Sequence, residues 1–231
     1  MTTAIPPVKA RSPLSERLDL IISPIFAAAL AILGLAVWTY SDLDKITIAI
    51  LSPDKIQRQI VETLILGLTS SILVVLIAVP VGILVTRKGY PRLKSALVNT
   101  LGLGQALPAY GLIVIFFSFM GSGIVTVILA LATFSLLPVL RNTIVGLEQV
   151  DKSVIDAARG MGLTARQILL KIELPLSVEV ILGGIRTAVV INIGFSALAF
   201  LVGGGGLGET INSGLKLDRG PAILIGAVMV A

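Results

Sequence analysis

The chain has 231 residues, 55% of them hydrophobic and 13% charged, with mean hydropathy +1.01. That balance belongs to a helical membrane protein rather than to a soluble domain. With neither Cys nor His, its own side chains supply no disulfide framework, zinc site, Cys or His nucleophile, or imidazole base. The net charge of +5 is read by position, because in a membrane protein the side on which cations gather matters more than their sum.

Residues 1–19 form a polar tail with Pro6, Pro7 and Pro13 and the cations Lys9, Arg11 and Arg17. An apolar run from Leu20 to Tyr40 follows, long enough to cross a hydrocarbon core of about 30 Å. It is too long for a signal peptide, and Trp38-Thr39-Tyr40 is no small-residue cleavage site, so it reads as an anchor span. After a polar segment at 41–60, a second span is expected over Glu62–Val85. Arg87, Lys88, Arg92 and Lys94 then make a short basic turn. A third span runs over Ala96–Met120, but Asn99, Gly102, Gly104, Gln105 and Pro108 crowd into it. Proline removes a helical hydrogen bond and clashes with the preceding turn, so a kink or unwound segment is expected at Pro108. Gly121-Ser122-Gly123 is a tight turn, and a fourth span, Ile124–Leu140, ends at Arg141. A fifth span is expected over Leu176–Val202. The glycine-rich loop 203–220 leads to Ala222–Ala231, an apolar run too short to span, which reads as a sixth span cut about halfway. The transmembrane part is thus 20–231, and the fold class is all-α and polytopic.

Between the fourth and fifth spans lies a charged island. From Asp151 to Glu173 it carries Asp151, Lys152, Asp156, Arg159, Arg166, Lys171 and Glu173, too many charges for hydrocarbon. Ser153-x-x-Asp156 and Thr164-x-x-Gln167 each resemble a helix start, and Gly160 and Gly162 permit a sharp turn between them. Ile168, Leu169 and Ile172 give the second helix an apolar stripe, and Pro175 is expected to stop it. Two short helices outside the bilayer are one outcome; an amphipathic loop lying on the headgroups is the other.

With the N-terminus in the cytoplasm and sides alternating at each span, twelve cations fall inside and Lys45, Lys55, Arg58, Lys216 and Arg219 fall outside. Arg186 stays within a span. This satisfies the positive-inside rule and places the island in the cytoplasm.

Candidate functional residues follow from cost and spacing. Arg186 within a span costs roughly 2.5–3.5 kcal/mol on insertion scales, so it must face protein, water or the headgroups, with Glu179 and Gly183 on its face. Asn192 and Ser196 form a second polar stripe at i, i+4. Asn99, Gln105, Pro108 and Tyr110 surround the break in span three, where non-helical backbone is tolerated only if buried or lining a wet cavity. These six, with Arg186, are candidates for a translocation pathway; helix-to-helix glue is the alternative for the polar ones. Gly203-x-Gly205-x-x-Gly208 matches a dinucleotide-binding pattern formally but lacks the strand and βαβ unit that chemistry needs. Close packing and turning is the preferred role, with gating a second. No Lys follows a Gly, so the chain holds no phosphate loop and does not hydrolyse nucleotide by itself.

Asp156-Ala157-Ala158, then Gly162, Ile172 and Leu174-Pro175 fill the slots of the EAA signature of ABC-importer permeases, with Asp for Glu as the departure. The chain therefore resembles that family. The resemblance implies that 151–175 is a coupling segment docking on an ATPase subunit, with Asp156, Ala157, Ala158, Arg159, Gly160, Gly162, Ile172, Leu174 and Pro175 at the contact. Gln105–Pro108, Leu136–Thr143, Glu173–Leu176, Gly184–Ala188 and Gly203–Gly208 are similar to the glycine betaine/carnitine/choline branch, a likeness covering about 60–220. Ala106 and Ala109 depart from that branch beside Pro108. The resemblance implies a type I, MetI-like importer fold in the bacterial inner membrane, two permease chains, two ATPases carrying ATP and Mg, and an extracytoplasmic binding protein. No metal, cofactor or catalytic residue is expected in this chain. Sparse aromatics (one Trp, three Tyr and seven Phe) suit a permease that leaves an aromatic cage to the binding protein. An amino acid is the alternative substrate. An ion-coupled secondary transporter is the rival class, disfavoured by the lack of an internal repeat and of intramembrane acids beyond Glu179. A membrane scaffold without transport is the third option.

Overall fold

The computed structural model describes residues 13–40, 43–87 and 91–231. Lys9, Arg11, Lys88 and most of the polar tail, which enter the charge count, lie outside the described residues. The described residues are all-helical, without a strand. In chain order they form α1 (Pro13–Tyr40), α2 (Lys45–Ile50), α3 (Pro53–Thr86), α4 (Pro91–Ala106), α5 (Ala109–Met120) and α6 (Ile124–Glu148). Then come α7 (Lys152–Gly160), α8 (Ala165–Ile168), a π-turn (Leu169–Glu173), α9 (Leu174–Ser196), a 3-10 turn (Ala199–Val202), α10 (Gly208–Lys216) and α11 (Gly220–Val230).

The centre is a three-helix seam of α3, α6 and α9. Its basis is visible along each helix. In α3 the buried positions Gln59, Thr63, Leu66, Ser70, Val74, Ala78, Gly82 and Val85 recur every three or four residues. In α9 the same spacing buries Ser177, Ile181, Gly184, Ala188, Asn192 and Ser196. Most of these residues are small. In lipid no hydrophobic force drives helices together, and small side chains let backbones approach closely enough for dispersion to do so. At Gly67 a Cβ would stand 2.6 Å from Ile193 Cγ1, and at Gly184 it would stand 2.7 Å from Asn142 Cβ. The middle of the seam is packed by Val74, Ala78, Val139, Leu140, Ile144 and Ala188.

Polar contacts at the helix ends fix which termini share a side. At one end, Arg87 after α3 pairs with Glu173, and Lys94 of α4 pairs with Glu148 of α6. This is the island end. At the other, Gly206 and Leu207 donate to Glu62 and Thr63 of α3, Arg219 pairs with Asp44, and Gly123 N–H donates to the Val202 carbonyl. This is the glycine-loop end. The expected grouping of connections on two sides therefore holds among these described segments.

Several expected boundaries move. α3 begins at Pro53, nine residues before the expected span; its 34 residues measure about 50 Å at 1.5 Å each, so its first turns project past a core of about 30 Å. α6 continues to Glu148, which leaves Arg141 within the helix. The expected kink in span three is a full break: α4 and α5 meet at 100°. Pro108 caps α5 with φ −57° and ψ 137°, because a proline cannot donate into the preceding turn. The pair still runs from Lys94 at the island end to Gly123 at the glycine-loop end. Three helices (α3, α6 and the continuous α8–α9) are long and apolar enough to cross a membrane, and the bent α4–α5 pair is so only when its two arms are taken together.

Candidate functional site

The island folds as two short helices. α7 is capped by Asp151, whose Oδ1 accepts from the Ser153 N–H at 2.8 Å, so the helix starts before the expected Ser153 cap. The capping box at Thr164 is formed in full: Thr164 Oγ1 accepts from Gln167 N–H at 3.3 Å, and Gln167 Oε1 accepts from Thr164 N–H at 2.8 Å. Between the helices only Gly162 takes a left-handed conformation, φ +80°, while Gly160 ends α7 with ordinary geometry. A side chain at Gly162 would be strained wherever it pointed.

Pro175 does not stop the second helix. The chain runs unbroken from Ala165 to Ser196, with the π-turn at Leu169–Glu173, and Pro175 sits in the first turn of α9. A proline ring needs room at the carbonyl four residues back, and the extra residue of a π-turn gives that room. From Ala165 onward the island is therefore continuous with the membrane helix α9, while α7 stands apart from it across the Gly162 turn.

Of the residues expected at an ATPase contact, Asp156, Ala157, Arg159, Gly160, Gly162 and Pro175 are exposed, whereas Ala158 is fully buried and Ile172 and Leu174 are half-buried. Arg159 Nη1 donates to Asp156 Oδ1 at 3.1 Å, so the two charges form a local, exposed pair on α7. Met161, 72% exposed, stands between the two glycines. Behind α7 lies a cavity of about 640 Å³ whose wall includes Arg87, Glu148, Lys152, Asp156, Arg159 and Glu173.

The candidate pathway residues separate into two groups. Asn192 and Ser196 are fully buried in the α3–α9 seam. Asn192 Nδ2 donates to Ser71 Oγ at 3.0 Å, and Ser196 Oγ donates to the Ile193 carbonyl at 2.6 Å. Asn99, Tyr110 and Arg186 are exposed on the described chain, and Gln105 bridges α4 to α6 by donating to the Phe134 carbonyl at 3.1 Å. Pro108 is exposed at the break. On α9, Glu179, Gly183, Arg186 and Thr187 line one exposed face. Charges on a helix otherwise fit for lipid need protein or water against them. Among the described residues no cluster of His, Cys, Asp or Glu is arranged to hold a metal.

At the glycine-loop end, Gly203, Gly205 and Gly206 all have positive φ, and the turn they make presents the Gly206 N–H to α3. The Glu62 carboxylate fills the hollow, accepting from Gly206 at 2.8 Å, and a Cβ on Gly205 would collide with it. This accounts for the glycines without a dinucleotide.

Residues 78–231 match the family described as binding-protein-dependent transport system inner membrane component. The chain belongs to this family. The permease is 39% identical over 169 residues, 73% of its length and 77% of the relative's, to the carnitine transport permease protein OpuCB of Listeria monocytogenes. It is 37% identical over 171 residues, again 73% and 77%, to the glycine betaine/carnitine/choline transport system permease protein OpuCB of Bacillus subtilis. Among solved structures it resembles the inward-facing MetNI methionine ABC transporter, with 26% identity, a TM-score of 0.65, and cover of 81% of this chain and 89% of that one. The permease is an integral inner-membrane protein with the type I importer fold, a transport subunit rather than an enzyme, and its family works with ATPase and substrate-binding partners.

Proposed function

We propose that the permease carries a small quaternary-ammonium solute such as glycine betaine, carnitine or choline into the cell. An extracytoplasmic binding protein would deliver the solute, and ATP and Mg on separate ATPase subunits would drive the cycle. The identity of 37–39% over three quarters of the chain to permeases named for carnitine, choline and glycine betaine supports this most directly. Two permease chains, identical or paired with a second gene product, would enclose the path. The N-terminus would lie in the cytoplasm, which puts the 151–175 segment where an ATPase can meet it.

ATP binding would bring the two coupling segments together and rock the helices from outward- to inward-facing. The exposed Asn99, Pro108, Tyr110 and Arg186 would face the shared path with the half-buried Gln105 beside them, and Asn192 would hold α9 to α3 through Ser71. The test is uptake into vesicles carrying the assembled complex, with labelled glycine betaine, carnitine, choline and methionine offered in turn. ATP-dependent uptake of the first three supports the proposal. Methionine uptake alone would move the substrate class to amino acids, and uptake driven by an ion gradient without ATP would remove the ATP-driven mechanism.

A further inference from the structure

Glu173 closes the π-turn at the foot of α9, and it is the one acidic residue of the described island that is buried, at 8% exposure. Its Oε2 lies 2.8 Å from Arg87 Nη2, across 86 residues of chain. Arg87 is itself held by α3: its backbone N–H donates to the Leu84 carbonyl at 3.2 Å and its Nε to the Ile83 carbonyl at 3.4 Å. Both side chains line the cavity behind α7. So the coupling segment reaches the bundle twice, covalently into α9 and through this ion pair into α3. At its far end α3 grips the glycine loop through Glu62 and Thr63, and through Gln59, whose Oε1 accepts from Thr210 Oγ1 at 2.6 Å. One helix is thereby bonded to the coupling segment at one end and to the loop at the other.

We propose that Arg87 and Glu173 are positioning residues for transport, the joint through which movement of the coupling segment is passed to α3 and along it to the glycine loop. This rests on the proposed function. Energetic coupling is carried by rigid elements joined through packed and hydrogen-bonded contacts, and α3 with its two polar attachments is such an element.

The experiment uses the complex of permease, ATPase and binding protein in vesicles, with glycine betaine, carnitine and choline as probes. Wild type, Arg87→Gln, Glu173→Gln and the exchange Arg87→Glu with Glu173→Arg are compared for copurification with the ATPase, solute-stimulated hydrolysis, and solute moved per ATP. The single variants are expected to copurify yet lose stimulation about tenfold, within the usual range of coupling effects, and to move less solute per ATP. The exchange is expected to restore both. Single variants that keep wild-type stimulation and stoichiometry overturn the joint, as does an exchange that restores neither. Should the single variants not assemble, cysteines at 87 and 173, in a chain with no others, are bridged by a bismaleimide. A bridged complex that stays coupled supports the joint, and an uncoupled one overturns it. A wild-type complex stimulated by none of the three solutes instead overturns the proposed function, and the joint with it.

Discussion

Gly67 shows how much one hydrogen decides in this bundle. A Cβ there would stand 2.6 Å from Ile193 Cγ1 and 3.1 Å from the Ile193 backbone Cα. The side-chain atom can swing away and the backbone cannot, so Gly67→Ala is expected to push α9 off α3. The cost should be about 1–3 kcal/mol, as for overpacked cores generally, read as a lower unfolding midpoint in mixed micelles. Gly183→Ala, on the open face of α9, meets nothing within 4 Å and should leave that midpoint unchanged. Equal losses at both would contradict the packing account. The residues of the seam were only half legible from the sequence. Asn192 and Ser196 announced themselves as costly polar groups, but the partner of Asn192, Ser71, lies 121 residues away, and spacing within one helix says nothing about which neighbour it meets. The same limit hid the Arg87–Glu173 pair and the seat of Glu62 among the glycines.

Among the elements, the two short helices depend on their caps. Thr164 and Gln167 were recognisable because a capping box is a local pattern. The cap of α7 was displaced by two residues because Asp151 and Ser153 both suit the position and only geometry separates them. Hydrogen bonds from Ser153, its backbone N–H first, hold the Asp151 carboxyl below its ordinary value of 3.8. A lowered folded-state pKa favours the folded form at any pH above the unfolded value, and this contribution is lost as pH falls through the folded one. Amide exchange at Ser153–Ile155 should therefore accelerate, beyond its intrinsic pH dependence, as pH drops below about 3.8. In Asp151→Asn, which caps without titrating, the added acceleration should vanish; its survival would contradict the assignment. Thr164→Ala should loosen α8 by about 1 kcal/mol of protection. The π-turn had no sequence signal beyond Pro175 within a pattern that continues past it. The usual rule that proline ends a helix gave a stop where the structure has a joint.

At the scale of the molecule, the order of the long helices α3, α6 and α9 followed from apolar run lengths, and connections expected on one side share an end of the bundle among the described segments. The break between α4 and α5 was also visible in Pro108, though not its 100° angle, because packing on α6 sets direction. Since the chain has no native cysteine, sidedness can be tested on a clean background. Met161→Cys, on the island, should react with an impermeant maleimide only from the cytoplasmic side, and Lys216→Cys, on α10, only from the opposite side. Both reacting from one side would contradict the proposed orientation.

The central claim is that the 151–175 segment receives work done by a separate ATPase, and solute-stimulated ATP hydrolysis by the assembled complex tests it most directly. Arg159→Glu with Gly162→Leu reverses an exposed charge and strains the φ +80° turn. The account predicts that this variant still inserts while its stimulated hydrolysis disappears; stimulation equal to that of the wild type would contradict it.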